Sequence, residues 1–223
     1  MKMKRNNIES GKYYTLGEEI FNAVTHGVGV LLAVAALVLM TVISAKYGNA
    51  LCIVSSVIYG VSLIVMYTAS TFYHALTNKT AKKVFRILDH GAIFLLIAGT
   101  YTPYTLIAMN NLTGFILFGI IWTMAILGIT LNSIDLKKYA IMSVVCYVLM
   151  GWAIVFAIKP LIAVLSGTGM ALLVAGGIVY TAGIAFYAFG SKVRYFHPVW
   201  HLFVLAGSML HYFSIFLYVL PWR

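Results

Sequence analysis

Long apolar stretches recur along the whole chain, and they restrict its fold more than any other feature. A helix needs about 20 apolar residues to cross a hydrocarbon core roughly 30 Å thick. Only 9% of the residues are charged, against about 25% in an average soluble domain. The sequence therefore predicts an all-α integral membrane protein, a bundle of seven transmembrane helices. The predicted spans are residues 20–43, 51–74, 87–108, 113–131, 140–158, 168–189 and 197–220.

The positive charges predict how these spans are oriented. Twelve of the 15 Lys and Arg residues fall in the N-terminal segment and in the loops that follow spans two, four and six. The other three are Lys46, Lys159 and Arg223. Because cytoplasmic loops are enriched in Lys and Arg, we expect a cytoplasmic N-terminus and a C-terminus outside. The net charge of +10 is thereby explained by topology, and no nucleic-acid partner is expected.

The same pattern sets the expected organisation of the chain. Residues 1–19 would form a cytoplasmic N-terminal segment, residues 20–220 the seven-helix domain and residues 221–223 a C-terminal tail. The polar, basic N-terminus lacks the apolar core and cleavage site of a signal peptide. We therefore expect the first span to be retained.

Histidines gather at the predicted cytoplasmic ends of the spans. His197 and His201 begin span seven, and His74 ends span two. Two histidines four residues apart share one face of a helix, so both can reach a single ion. Three imidazoles with one open position form a known catalytic zinc arrangement. The sequence therefore indicates a metal site with ligands His74, His197 and His201.

Two oxygen-bearing residues are predicted at the same depth. Ser70 lies four residues before His74 on one helix face, and Asp89 lies early in span three. A carboxylate near a metal can orient a water molecule or take its proton, and a hydroxyl can hydrogen-bond a polarised oxygen. Alone, Asp89 could pair with Arg86 or Lys83, and Ser70 could bond to the backbone one turn earlier. Their convergence with the histidines favours catalytic roles.

The other three histidines are interpreted as structural or as supporting neighbours of the ligands. A single histidine inside a membrane more often hydrogen-bonds between helices than binds a metal. This interpretation covers His26, His90 and His211. His211 lies ten residues beyond His201, about 15 Å along the helix axis, and is too distant to join the cluster.

Five motifs with polar or histidine residues occur in order along nearly the whole chain. They are Glu18-Glu19-Ile-Phe-Asn22-Ala-Val-Thr25-His26, Ser70-x-x-x-His74, Asp89-His90-Gly91, Gly99-Thr100-Tyr101-Thr102-Pro103-Tyr104 and His197-x-x-x-His201. This ordered set resembles the hemolysin III branch of the progestin and adipoQ receptor family. The resemblance implies seven helices, an intracellular N-terminus, a bacterial plasma-membrane location, and zinc held by His74, His197 and His201 beside Asp89 and Ser70.

The resemblance implies more than one activity. Animal members are associated with ceramide hydrolysis, whereas the bacterial branch is named after a haemolytic, pore-forming activity. Our leading hypothesis is a zinc-dependent hydrolase of a lipid amide or ester, with the acyl chain held by the apolar bundle. The alternatives are a cytolysin, for which the chain shows no amphipathic pore-lining stretch, and a receptor or sensor with structural zinc. The oligomeric state stays open.

Overall fold

The computed structural model describes residues 14–190 and 192–221, and the regular structure in those residues is entirely helical. Most of the predicted N-terminal segment, residues 1–13, and the tail residues 222–223 lie outside this range. The helices are α1 Leu16–Tyr47, α2 Ala50–Ala75, α3 Lys79–Pro103, α4 Leu112–Trp152, α5 Ile158–Ile162, α6 Gly167–Phe189 and α7 Phe196–Tyr218.

Most of the long helices begin at a polar cap. Thr15 caps α1 and forms a reciprocal capping box with Glu18. Such side chains satisfy the unpaired N–H groups of a first helical turn, which are costly to leave unbonded in an apolar environment. The caps therefore define where each apolar segment starts. Asn49, Asn78, Asn111 and Ser166 cap α2, α3, α4 and α6 in the same way.

Six helical stretches in the described part of the chain are long and apolar enough to cross a membrane. The fourth runs over 51 residues, from Leu112 to Ile162, and contains two predicted spans. Its helix breaks at Asp135, which has extended dihedrals of φ −154° and ψ 91°. The Asp135 Oδ1 accepts a hydrogen bond from Lys138 N at 2.9 Å and so caps the helix that follows.

A hydrogen bond across the Asp135 break shows that the chain reverses there. Ser143 Oγ donates to Asn132 Oδ1 at 2.7 Å, and both residues are buried. Eleven residues of straight helix would separate these positions by about 16 Å. The two parts of α4 therefore fold back beside each other, and a single residue replaces the loop that we expected between spans four and five.

Helix α3 begins earlier than the hydropathy predicts. We expected the third span to start at residue 87, whereas the helix starts at Lys79 behind the Asn78 cap. The first turns of α3 therefore contain basic residues that we expected in a loop, among them Lys79, Lys82 and Lys83. Their long side chains can extend from the helix to polar surroundings, so a helix is compatible with these charges. At its other end, the helix passes through Pro103 into a π-helical turn, Tyr104–Met109.

Glycines at seven-residue spacing bring α6 against α7. A Cβ at Gly176 would overlap the ring of His211, and one at Gly183 would lie 2.7 Å from Phe203 Cβ. Gly169 similarly faces Tyr218. Small residues permit close helix approach in lipid, where packing replaces the hydrophobic driving force. This seam holds α7 at the position from which its histidines project inward.

Candidate metal centre

Three histidines from two helices meet at one end of the bundle. The ligand atoms of His74, His197 and His201 all lie within 4.8 Å of one another. The Nε2 atoms of His197 and His201 are 3.2 Å apart. All three side chains are buried, with His201 only 2% exposed. The structure thus brings together the three residues that the sequence predicts as ligands.

The ends of two helices position these rings. His74 lies in the last turn of α2, and His197 and His201 occupy the first two turns of α7. Before α7 the chain turns through Tyr195, whose φ of 62° is left-handed. Pro198 follows within the first turn, where its missing N–H leaves no bond unmade. The histidine spacing of four then aligns both rings on one helix face.

A carboxylate that the sequence analysis left without a role holds His74. Glu19 Oε2 lies 2.7 Å from His74 Nδ1, and Lys82 Nζ donates to Glu19 Oε1 at 2.7 Å. Asn22 Nδ2 also lies 3.3 Å from His74 Nδ1. Glu19, Asn22 and His26 share a face of α1, and this helical spacing is the sequence signal that could have placed Glu19 at the histidine cluster.

Two aromatic rings enclose the cluster. His26 stacks on His201 with ring centroids 3.8 Å apart, and Tyr14 stacks on His197 at 4.6 Å. The Tyr14 ring also lies 5.8 Å from that of His74. Burial raises the pKa of the Tyr14 phenol above its usual range, so the hydroxyl stays neutral. Tyr14 therefore covers two of the three histidines with an uncharged ring.

Glu18 joins the beginning of α1 to the beginning of α7. Its Oε2 accepts from Thr15 N at 2.8 Å, and its Oε1 accepts from Tyr195 N at 2.7 Å. The second bond links positions 177 residues apart in sequence. It satisfies a backbone donor at the left-handed residue that precedes α7. Glu18 therefore connects the segment that carries Tyr14 to the start of α7, where His197 and His201 lie.

The donor atoms of the cluster fit a metal ion. Within the described residues, His74 Nε2 is buried without a hydrogen-bond partner. Its other nitrogen, Nδ1, is taken by Glu19, which leaves Nε2 for a further ligand. A carboxylate behind a ligating histidine is the usual arrangement in metal sites. Three neutral imidazoles suit zinc and other borderline transition metals. The set could therefore hold a metal ion.

A mostly apolar cavity of about 170 Å³ adjoins the cluster. Its lining includes His197 and His201, together with Ser70 and Asp89. Ser70 Oγ is buried and has no hydrogen-bond partner in the described residues. The lining does not include His74, which approaches the cluster from the α2 side. The predicted oxygen-bearing residues thus share one space with two of the three predicted ligands.

The remaining predicted histidines have different surroundings. His90 lies beside Asp89, with 3.7 Å between Nδ1 and Oδ2, and its Nδ1 is 2.9 Å from the Arg86 carbonyl oxygen. His211 is separate from the cluster, and its Nε2 lies 3.0 Å from the Leu173 carbonyl oxygen. His26, His90 and His211 all line the cavity.

Comparison with known proteins identifies the family. The profile described as "Haemolysin-III related" matches residues 14–212. Hemolysin-3 of Bacillus cereus is 45% identical over 204 residues, covering 92% of this chain and 93% of that protein. The Hemolysin-3 homolog of Bacillus subtilis (strain 168) is 44% identical over 205 residues, covering 92% and 96%.

A more distant relative extends the similarity beyond bacteria. The human monocyte to macrophage differentiation factor is 26% identical over 167 residues, covering 73% of this chain and 69% of that protein. The bacterial matches span nearly the full length of both partners. The family profile includes all of α2 and α7 as far as Tyr212, and so contains the three histidines of the cluster. The resemblance seen in the sequence motifs is thereby confirmed. The chain is a multi-pass membrane protein that belongs to the haemolysin-III-related family.

Proposed function

We propose that the protein is a zinc-dependent hydrolase that cleaves an amide or ester bond of a membrane lipid. One observation carries the proposal. The ligand atoms of three buried histidines lie within 4.8 Å of one another, beside an apolar cavity that Ser70 and Asp89 also line. Ionisable groups are costly inside a membrane and usually mark a functional site.

His74, His197 and His201 would hold the zinc ion. Bound zinc supplies a Lewis acid that makes water more acidic and polarises a carbonyl group. Asp89 would accept a proton from the attacking water and return it to the leaving amine or alcohol. The Ser70 hydroxyl, which lacks a partner among the described residues, would donate to the substrate carbonyl oxygen.

Residues farther along the cavity would bind the lipid chain. Most of the lining is aliphatic or aromatic, and it comes mainly from α3, α4, α6 and α7. An acyl chain placed there would remain out of water and would bring its amide or ester group toward Ser70 and Asp89. The bilayer supplies such substrates directly.

Metal analysis with a lipid-cleavage assay tests the proposal. Purified protein should contain about one zinc per chain and should release fatty acid from long-chain N-acyl amides or esters in mixed micelles. The His74→Ala/His201→Ala variant should lose both properties, whereas Cys146→Ala, remote from the cluster in sequence, should keep both. Loss of the metal with unaltered hydrolysis would reject the proposed role of zinc.

We further propose that the chain crosses the membrane seven times, with its N-terminus in the cytoplasm. The reversal at Asp135 supports two crossings within the fourth helical stretch. The distribution of Lys and Arg supports the orientation. The histidine cluster would then lie near the cytoplasmic face, because α2 ends and α7 begins on that side.

A cytolytic activity is the second candidate, and it is favoured by the name of the Bacillus cereus relative, Hemolysin-3. A pore former should permeabilise membranes without a substrate turning over. Dye-loaded liposomes exposed to purified protein distinguish the two functions. Leakage that persists in the His74→Ala/His201→Ala variant would support cytolysis, and intact liposomes at high protein-to-lipid ratio would exclude it.

A further inference from the structure

The cavity extends well beyond the histidine cluster and reaches another buried histidine. On α7 its lining runs from His197 to His211, and on α6 from Met170 to Tyr187. His201 and His211 are ten residues apart on α7, which corresponds to about 15 Å along the helix axis. The space is thus elongated along α7, with a polar group at each end.

His211 presents an unused hydrogen-bond acceptor. Its Nε2 lies 3.0 Å from the Leu173 carbonyl oxygen, and a carbonyl oxygen only accepts, so Nε2 carries the hydrogen. A charged imidazolium at this depth would be costly, and the ring is therefore neutral. Nδ1 then bears a lone pair, and it is buried without a partner among the described residues.

None of the described residues donates a hydrogen bond to Nδ1. The Tyr180 ring lies 5.4 Å from that of His211 between centroids, and its hydroxyl is already hydrogen-bonded to Ser208 Oγ at 2.6 Å. The ring itself is held in place, because Gly176 provides the space beside it and Leu173 accepts its only bonded hydrogen. A buried polar atom left unpaired costs free energy, so this acceptor favours a ligand that brings its own donor.

We propose that the far end of the cavity is a recognition site for a hydroxyl group, and that His211 Nδ1 is its acceptor. The matching ligand is a long-chain lipid with one polar group at the histidine cluster and a hydroxyl about 15 Å deeper. The inference rests on the proposed function for the location of the first polar group. It adds a specificity-determining residue and a ligand class, the terminally hydroxylated chains.

Two substitutions separate the nitrogens of His211. In His211→Gln the side-chain amide can occupy the Nε2 position and donate to the Leu173 carbonyl oxygen, but no acceptor remains at the Nδ1 position. In His211→Asn the shorter side chain places its oxygen near the Nδ1 position and gives up the bond to Leu173. The two variants therefore test the acceptor independently of the structural hydrogen bond.

The experiment measures preference rather than absolute affinity. Fatty acids from dodecanoic to hexadecanoic acid, with and without a terminal hydroxyl, compete with a fluorescent fatty acid for purified protein in nanodiscs. At the best chain length, wild type should favour the hydroxylated acid roughly fivefold, the size expected of one net hydrogen bond. His211→Gln should lose this preference, and His211→Asn should keep it.

Each alternative outcome is informative. Equal binding of both acids to wild type would mean that Nδ1 holds only a buried water molecule, and it would overturn the inference. A preference that survives in His211→Gln would do the same. Metal content and lipid hydrolysis are measured in the same preparations. If the wild type contains metal but shows no hydroxyl preference, the inference about His211 fails and the proposed function is unaffected. If no preparation contains metal, the proposed function fails.

Discussion

The Nδ1 atom of His74 lies 2.7 Å from Oε2 of Glu19, and this contact joins α2 to α1 at the histidine cluster. A carboxylate accepts the Nδ1 hydrogen, which leaves the Nε2 lone pair free. Lys82 Nζ occupies the other Glu19 oxygen at 2.7 Å and lies 5.1 Å from the Tyr73 ring centroid. Two charged residues thus determine which nitrogen His74 can offer to a metal.

Glu19→Gln should weaken metal binding. The amide offers one acceptor oxygen to the two donors, His74 Nδ1 and Lys82 Nζ, and it carries no charge. We expect a loss of affinity of about 10- to 100-fold, as for other residues that support ligating histidines. Competition with a chromophoric chelator measures the affinity.

The control for this prediction is Lys82→Met, which leaves the Glu19 carboxylate facing His74. Its affinity should fall less than that of Glu19→Gln, because the contact with Nδ1 remains. Wild-type affinity in Glu19→Gln would show that the Glu19 carboxylate does not support His74.

Tyr14→Ala should make the metal easier to remove. Tyr14 stacks on His197 at 4.6 Å, so its removal opens a path to the cluster. Stacking contacts of this kind contribute about 0.5–1.5 kcal/mol, which corresponds to a roughly two- to tenfold faster loss of metal to a chelator. Stopped-flow measurements of metal release give the rate.

Tyr14→Phe serves as the matched variant because it retains the ring and removes only the hydroxyl. It should release metal at nearly the wild-type rate. Fast release from both variants would instead assign the effect to the hydroxyl group.

Gly176→Ala should destabilise the bundle. The added Cβ would overlap the His211 ring at the seam between α6 and α7. Overpacking of this kind costs about 1–3 kcal/mol. Gly119→Ala is the control, since a Cβ there meets nothing within 4 Å. Thermal unfolding in detergent, followed by intrinsic fluorescence, should show a lower midpoint for Gly176→Ala alone.

Much of the histidine cluster could be predicted because depth in a membrane follows from position along each span. His74 ends one predicted span and His197 begins another, and helical periodicity then adds His201. These three positions meet in the structure. Counting residues from the membrane surface was sufficient, since the lipid constrains where each helix starts.

The contacts between helices could not be predicted in this way. Glu19 reaches His74 across 55 residues, and Tyr14 reaches His197 from the opposite end of the chain. Such pairs depend on which helices are neighbours and on how each is rotated. The periodicity of one helix predicts neither its neighbours nor its rotation against them. The tightness of the turn at Asp135 was missed for another reason, because a single residue replaces the longer loop that hydropathy predicts between spans four and five.

Cysteine labelling would test the reversal at Asp135. Lys137 and Lys159 are both exposed and lie on either side of the second part of α4. If that part crosses the membrane, the two positions face opposite compartments. Cys52 and Cys146, both free, are first replaced by alanine. Lys137→Cys and Lys159→Cys are then introduced separately and exposed to a membrane-impermeant maleimide. In intact cells Lys159→Cys should react and Lys137→Cys should not, whereas inverted vesicles should show the reverse. The cysteine-free protein should remain unlabelled. Reaction of both positions from one side would mean that the stretch from Leu112 to Ile162 does not add a seventh crossing.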